Sequence, residues 1–263
     1  MLDLSKISIG IKTFLRDEKL LKTLGDIVSW GSDVKVIVAD CGHETFTKNI
    51  NFAGYVAYND WKFLKLNFDA GFGAMSNAII DALDTPYLLV ASDDFDFADP
   101  SVRVGIEKML AILEKHPRYY AVSGRVDNRP YETFLSENKG IIAEHDAKID
   151  ERVKESSFLE VFDVDLTVNY TLFRRETFKE LRWDDDVKIG GGEHGAWFVD
   201  MRRAGFKVGF VPGANINQQQ GTDSAEYKKF RNRALFPERP CFVKRGIKTY
   251  IMANGIVDYQ EKK

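Results

Sequence analysis

The chain has 263 residues, 44% of them hydrophobic and 29% charged, with a net charge of −3. That is the make-up of one large globular domain, or a domain plus an extension, and it argues against bulk electrostatic attraction to nucleic acid. Two cysteines, Cys41 and Cys241, make no disulfide framework. No apolar run is long enough for a membrane span, and the N-terminus lacks a signal-peptide core. A cytoplasmic protein is expected, with attachment to a membrane surface left open.

In chain order, "KISIGIKTF" reads as a first strand ending near Thr13, and "RDEKLLKTLGDIVSW" as a helix by its apolar spacing at Leu20, Leu21, Leu24, Ile27 and Val28. "VKVIVADCG" is a β-branched run, a buried strand that stops at Asp40. "GYVAYND" and "KFLKLNF" are weaker strand candidates. "GFGAMSNAIIDAL" is a glycine-led helix entry, and Pro86 precedes the strand "YLLVASDD". "SVRVGIEKMLAILEKH" is an amphipathic helix with Ser101 as its expected N-cap, and "YYAVSGRV" is the next strand. This alternation predicts an α/β fold with a mostly parallel central sheet flanked by helices. Residues 126–154 are polar and mixed and read as a surface loop. Strand character returns in "SFLEVFDVDLTVNYTLFRRETF", followed by a glycine-rich loop, a short helix and a final strand in "LRWDDDVKIGGGEHGAWFVDMRRAGFKVGFVP". Domain boundaries are expected at 1–220 for the sheet domain and 221–263 for a basic extension packing on it.

Ligands of open α/β sheets bind at the carboxyl ends of strands. Thr13 with Arg16, Asp40, and the cluster Asp93, Asp94 and Asp96 all fall at such ends. Three carboxylates this close repel one another, so a positive charge is expected among them. In extended chain Asp94 and Asp96 share a side, and an Asp-x-Asp pair suits a hard cation such as Mg2+ or Mn2+ bridging to phosphates.

Together these stretches resemble the GT-A fold glycosyltransferases, with the closest likeness to inverting family-2-like enzymes, β1,4-galactosyltransferases and N-acetylgalactosaminyltransferases. The likeness runs from about Ile7 to about Tyr227 and rests on "IGIKTFLRDEKLLKTL", "VIVADCG", "LNFDAGFGAMSNAII", "LLVASDDFDF" and "WDDDVKIGGGEHGAWFVDMRRAGFKVGFVP", in the family's order. It implies a metal-dependent transfer of a sugar from a nucleotide diphosphate donor, UDP-linked by preference, to a hydroxyl of a glycan or other acceptor. It implies that Thr13, Arg16 and Asp40 hold the nucleoside, that Asp69 and Asn77 line the donor pocket, and that Gly71 and Gly73 allow close backbone approach. Asp93 would face the ribose, and Asp94 or Asp96 would bind Mn2+ or Mg2+. The register stays open, because relatives often place three consecutive acids where this chain has Ser92, Asp93 and Asp94.

Glu193 at a helix start is the candidate general base. Relatives often follow that glutamate with an aspartate as the base; here His194 follows, so either Glu193 or His194 takes the proton. Relatives also often supply a metal-binding histidine after the last strand, where this chain has residues 217–220 and no histidine. His43, His116 and His145 carry no motif. The basic tail, with Lys228, Lys229, Arg231, Arg233, Arg239, Lys244, Arg245 and Lys248 interleaved by Tyr227, Phe230, Phe236 and Phe242, is expected either as a solvated face with core anchors or as a closure over phosphates. Retaining transfer, nucleotidyl transfer, an inactive nucleotide-sugar-binding module and a DNA-base glycosyltransferase are the competing readings.

Overall fold

The computed structural model describes residues 3–31, 33–43, 50–156, 159–185, 187–188, 193–231 and 239–261. The first half runs β1 (Ile7–Thr13), α1 (Asp17–Val28), β2 (Lys35–Asp40), α2 (Ile50–Asn59), β3 (Lys62–Lys65), α3 (Phe72–Asp81), β4 (Tyr87–Ser92), β5 (Phe95–Asp96), α4 (Pro100–Lys115) and β6 (Tyr119–Val126). The second runs β7 (Thr133–Asn138), β8 (Ile141–Asp146), α5 (Ile149–Glu155), β9 (Phe162–Val164), β10 (Thr171–Arg174), α6 (Thr177–Glu180), α7 (Glu193–Arg203), β11 (Lys207–Gln218), α8 (Ala225–Arg231), α9 (Pro240–Val243), β12 (Thr249–Ile251) and β13 (Val257–Gln260).

The main sheet has the order β3-β2-β1-β4-β10-β6-β11-β5, with β9 also on β11. It is parallel from β3 to β4 and again between β6 and β11. β10 enters antiparallel between β4 and β6, so the sheet is mixed beyond its parallel first half. Every residue of β1 is buried, as expected for a strand covered on both faces. On one face Leu20 and Leu24 of α1 and Met109 and Leu110 of α4 pack with Ile9, Ile11 and Phe95. On the other, Met75 and Ile79 of α3 and Trp197 and Phe198 of α7 pack with Ile37, Leu88 and Phe173. Cys41 and Cys241 are buried free thiols. Among the described residues no helix is long and apolar enough to cross a membrane.

Three local expectations are corrected. "GYVAYND" lies in α2 rather than in a strand. Its β-branched and aromatic content is overridden by packing on α1, where Gly25 leaves room for the Tyr55 hydroxyl, 3.3 Å from the position a Cβ would take. The N-cap of α4 is Asp99, whose carboxylate accepts from the Ser101 amide, with Pro100 at the first helical position. Residues 126–154 are not a loop throughout. β7 and β8 form a hairpin across Lys139 and Gly140, both left-handed at φ 48° and 85°, as a two-residue type I′ turn requires. β12 pairs parallel to β8 and β13 lies outside it, giving a second sheet of order β13-β12-β8-β7.

The tail is therefore structural as well as basic. Phe242, 1% exposed, stacks on Tyr250 at 4.6 Å. Arg245 reaches both oxygens of Asp200 in α7 at 2.9 and 2.8 Å, and Asp184 at 2.5 Å. Arg233 and Phe236 lie outside the described residues. Because the Arg245 side chain is only 11% exposed, its loss removes the two-pronged partner of Asp200 and leaves Asp184 with Lys244 at 3.7 Å. Arg245→Ala should lower unfolding free energy by about 3–5 kcal/mol in denaturant melts. A loss below about 1 kcal/mol would mean that this bridge behaves as a solvated surface pair.

Candidate active site

The positive charge that the acidic strand end calls for is supplied by Arg16. One guanidinium nitrogen lies 3.2 Å from Asp93 and 3.0 Å from Asp94, and the other 2.9 Å from Asp223. Its plane sits 4.0 Å from the Tyr227 ring centroid. Thr13 donates to the second Asp93 oxygen at 2.8 Å. Arg16 thus ties the end of β1, the turn after β4 and the start of α8 together. Burial pushes the Asp93 carboxyl up to about 6, with Asp94 adding to the rise and Arg16 and Thr13 opposing it.

Asp94 and Asp96 do not converge. The alternation that would put them on one side requires extended chain, but residues 93–94 form a turn. Asp96 points to the surface, where it meets Lys22 at 3.3 Å and accepts from the Ala98 amide. Asp94 instead lines the main cleft, and Ser92 donates to it at 2.5 Å. The Gln218 amide nitrogen lies 3.4 Å from Asp94, at the end of β11, where the resemblance leads one to expect a histidine. Among the described residues no three His, Cys, Asp or Glu side chains are grouped to hold a metal. The available set is one carboxylate, the Ser92 hydroxyl and the Gln218 amide. The carboxylate and the hydroxyl offer hard oxygen, which suits Mg2+ or Mn2+, whereas Gln218 turns its amide nitrogen to Asp94 and its oxygen to Arg129.

The glycines and Asn77 serve a different purpose from the one expected. A Cβ on Gly73 would lie 1.6 Å from the Asp184 carbonyl oxygen, and one on Gly71 (φ 105°) 2.6 Å from that of Val187. The close approach is to the chain leading into α7, not to a ligand. Asn77 clamps the same segment: it donates to the Trp183 carbonyl at 2.8 Å and to Asp185 at 2.7 Å, and accepts from the Trp183 amide at 3.0 Å. Asn77 therefore positions protein rather than lining the donor pocket. Asp40 is 1% exposed and held by Lys65 at 2.9 Å and the Gly42 amide at 2.7 Å, and it does not line the main cleft. Asp69 (φ 55°) lies at the turn before α3, where its amide donates to the Cys41 carbonyl.

Clamped by α3, Trp183 stacks on Trp197 of α7 at 4.4 Å. That seats Glu193 at the first residue of α7, 8% exposed, in the same cleft as Asp94. The glycine run at 190–192 lies outside the described residues. The His194 ring is 3.9 Å from Glu193. Its pKa is lowered by burial, helped by the Lys12 and Arg231 cations and opposed by Glu193, so a neutral ring is favoured near pH 7.

The cleft has a volume of about 700 Å³ and runs from Arg16 and Asp94 past Glu193 to Glu144, Tyr250 and Asn254. Its far wall is the second sheet. Tyr250 abuts the helix start, its hydroxyl 2.8 Å from where a Cβ on Gly195 would lie, and donates to Glu144 at 2.7 Å. Sequence reasoning missed this wall, the Asp223–Tyr227 cover over Arg16, and Lys12. Lys12 was the legible one, a lysine inside an otherwise apolar strand run. It is 5% exposed, and burial pushes its ammonium down to about 8 against the pull of Glu193 and Asp93.

No protein-family model matches the chain. It is 29% identical over 226 residues to mouse (Mus musculus) β-1,4 N-acetylgalactosaminyltransferase 2, covering 84% of this chain and 41% of that protein. The chain thus spans well under half of that relative's length. Among solved structures it is similar to GalNAc-T7 with UDP, GalNAc and Mn2+ (TM-score 0.65, 13% identity, 87% of this chain and 47% of that one). It is also similar to the mannosyltransferase PcManGT from Pyrobaculum calidifontis in complex with GDP-Man and Mn2+ (TM-score 0.59, 13% identity, 86% and 60%). The chain has the GT-A fold of the nucleotide-diphospho-sugar transferases, in an α/β form with a mixed sheet flanked by helices.

Proposed function

We propose that this chain is the catalytic domain of a metal-dependent glycosyltransferase. It moves a sugar from a nucleotide diphosphate donor, UDP-linked by preference, to an acceptor hydroxyl with inversion. The observation that carries this reading is the placement of Asp94 and Glu193 in one cleft at the carboxyl ends of the central strands. The sequence similarity to a β-1,4 N-acetylgalactosaminyltransferase and the fold likeness to proteins holding UDP or GDP-mannose with Mn2+ support it.

In this reading Arg16 marks the nucleotide end of the cleft, with Thr13 and Asp93 in the small recess beside it. Asp94, with Ser92, would hold a divalent ion whose chemistry is to neutralise charge on the diphosphate leaving group. The acceptor lies between Glu193 and the wall of Glu144, Tyr250 and Asn254. Its hydroxyl oxygen bonds to the anomeric carbon as the bond from that carbon to phosphate oxygen breaks, and Glu193 takes the hydroxyl proton. Glu193 is favoured over His194 because it is 8% exposed and seated by the Trp183–Trp197 stack at the head of α7.

Calorimetry with UDP-N-acetylgalactosamine and Mn2+, paired with a transfer assay, tests the assignment. Glu193→Gln should keep donor affinity and lower turnover by about 100- to 10,000-fold. Retained turnover would point to retaining chemistry instead. Asp94→Asn should weaken Mn2+-dependent donor binding by at least about tenfold. Asp96→Asn should leave it within about twofold, since its carboxylate faces Lys22. Equal losses from both substitutions would restore the Asp-x-Asp pair as the metal site.

A further inference from the structure

Lys12 is a buried residue of the cleft whose chemistry the catalytic scheme does not use. It stands next to last in β1, in register with Ala39 of β2 and Ser92 of β4, at the middle of the sheet. Its side chain passes between two rings, with the ammonium 4.9 Å from the Phe72 centroid and 5.3 Å from that of Trp183. The residue is 5% exposed, yet it lines both the main cleft and the small recess beside Thr13 and Asp93. Among the described residues its ammonium makes no hydrogen bond and no ion pair, although Glu193 and Asp93 are near enough to attract it.

An ammonium between aromatic faces at the edge of a cleft has lost part of its water, and ring contacts replace only some of that solvation. Buried lysines without a carboxylate partner are uncommon for that reason. Core packing does not call for a charge here, because methionine would fill the same slot. What would satisfy this one is an anion arriving in the cleft. A second cation, Arg231 of α8, lines the same cleft.

We propose that Lys12 is an anion-binding residue of this cleft, distinct from the ion site at Asp94. It pairs with an anionic oxygen of the bound substrate, either from the donor diphosphate or from a carboxylate on the donor sugar. The proposal rests on the glycosyltransferase reading and specifies a contact that reading leaves open.

The test is calorimetry with Mn2+ on the whole chain, comparing wild type, Lys12→Met and Lys12→Arg. The probes are UDP, UDP-N-acetylgalactosamine and UDP-glucuronic acid. Lys12→Met should weaken binding by about 10- to 100-fold, the worth of a hydrogen bond to a charged group. Lys12→Arg, which keeps the charge, should recover part of it and serves as the second variant if the methionine protein does not fold. An equal loss for all three probes assigns the diphosphate. A loss confined to UDP-glucuronic acid assigns a sugar carboxylate. Unchanged affinity in a folded Lys12→Met protein that wild type matches for every probe would overturn the proposal while leaving the glycosyltransferase reading in place. Wild type that binds none of the probes would remove both.

Discussion

The Arg16 guanidinium is the interaction on which the site depends. Asp93 and Asp94 are adjacent, both 4% exposed, and would not both stay ionised without a counter-charge. Arg16 supplies it and also reaches Asp223, which draws the start of α8 over the strand ends. The Tyr227 ring on the guanidinium and the 2.9 Å contact between His43 and Glu226 fasten the same segment. One cation therefore sets both the electrostatics of the acidic turn and the roof above it.

The second constraint is the seat of α7. Gly71 and Gly73 let the start of α3 meet the backbone of Asp184, Asp185 and Val187, and Asn77 fastens Trp183 with both ends of its amide. Trp183 then stacks on Trp197, and Arg245 ties Asp184 to Asp200 from the tail. Glu193 is thus held from the core side, from α3 and from the C-terminal segment. A carboxylate placed by packing in this way needs little reorganisation, which suits the role of base proposed for it.

The cleft is divided in charge. Its nucleotide end offers carboxylates already neutralised by Arg16, with a sparse oxygen set at Asp94. Its centre offers Lys12 and Arg231 around Glu193 and His194. Gln218, at the end of β11, turns its amide nitrogen to Asp94 and its amide oxygen to Arg129 at 3.2 Å. In the proposed reading, charge on a bound diphosphate would be shared between a metal with few protein ligands and fixed side-chain cations.

Much of the architecture was legible in the residues themselves. The β-branched runs ending at Thr13, Asp40 and Ser92 announce buried parallel strands, because a strand covered on both faces must be apolar throughout. Carboxylates at those ends, with a glutamate opening a later helix, mark where chemistry would sit. What the local pattern could not carry was long-range. Whether Asp96 joins Asp94 depended on a turn at 93–94 that breaks the alternation. The purpose of Gly71, Gly73 and Asn77 depended on a segment more than 100 residues away in the chain. The second sheet is built from a polar-faced hairpin and a tail strand that pairs with it only after the chain returns, so neither half has a pattern of its own. Sequence alone determined the layered sheet and the kinds of groups available. The tertiary structure decided which of them face one another, because burial and pairing are set by contacts between distant segments.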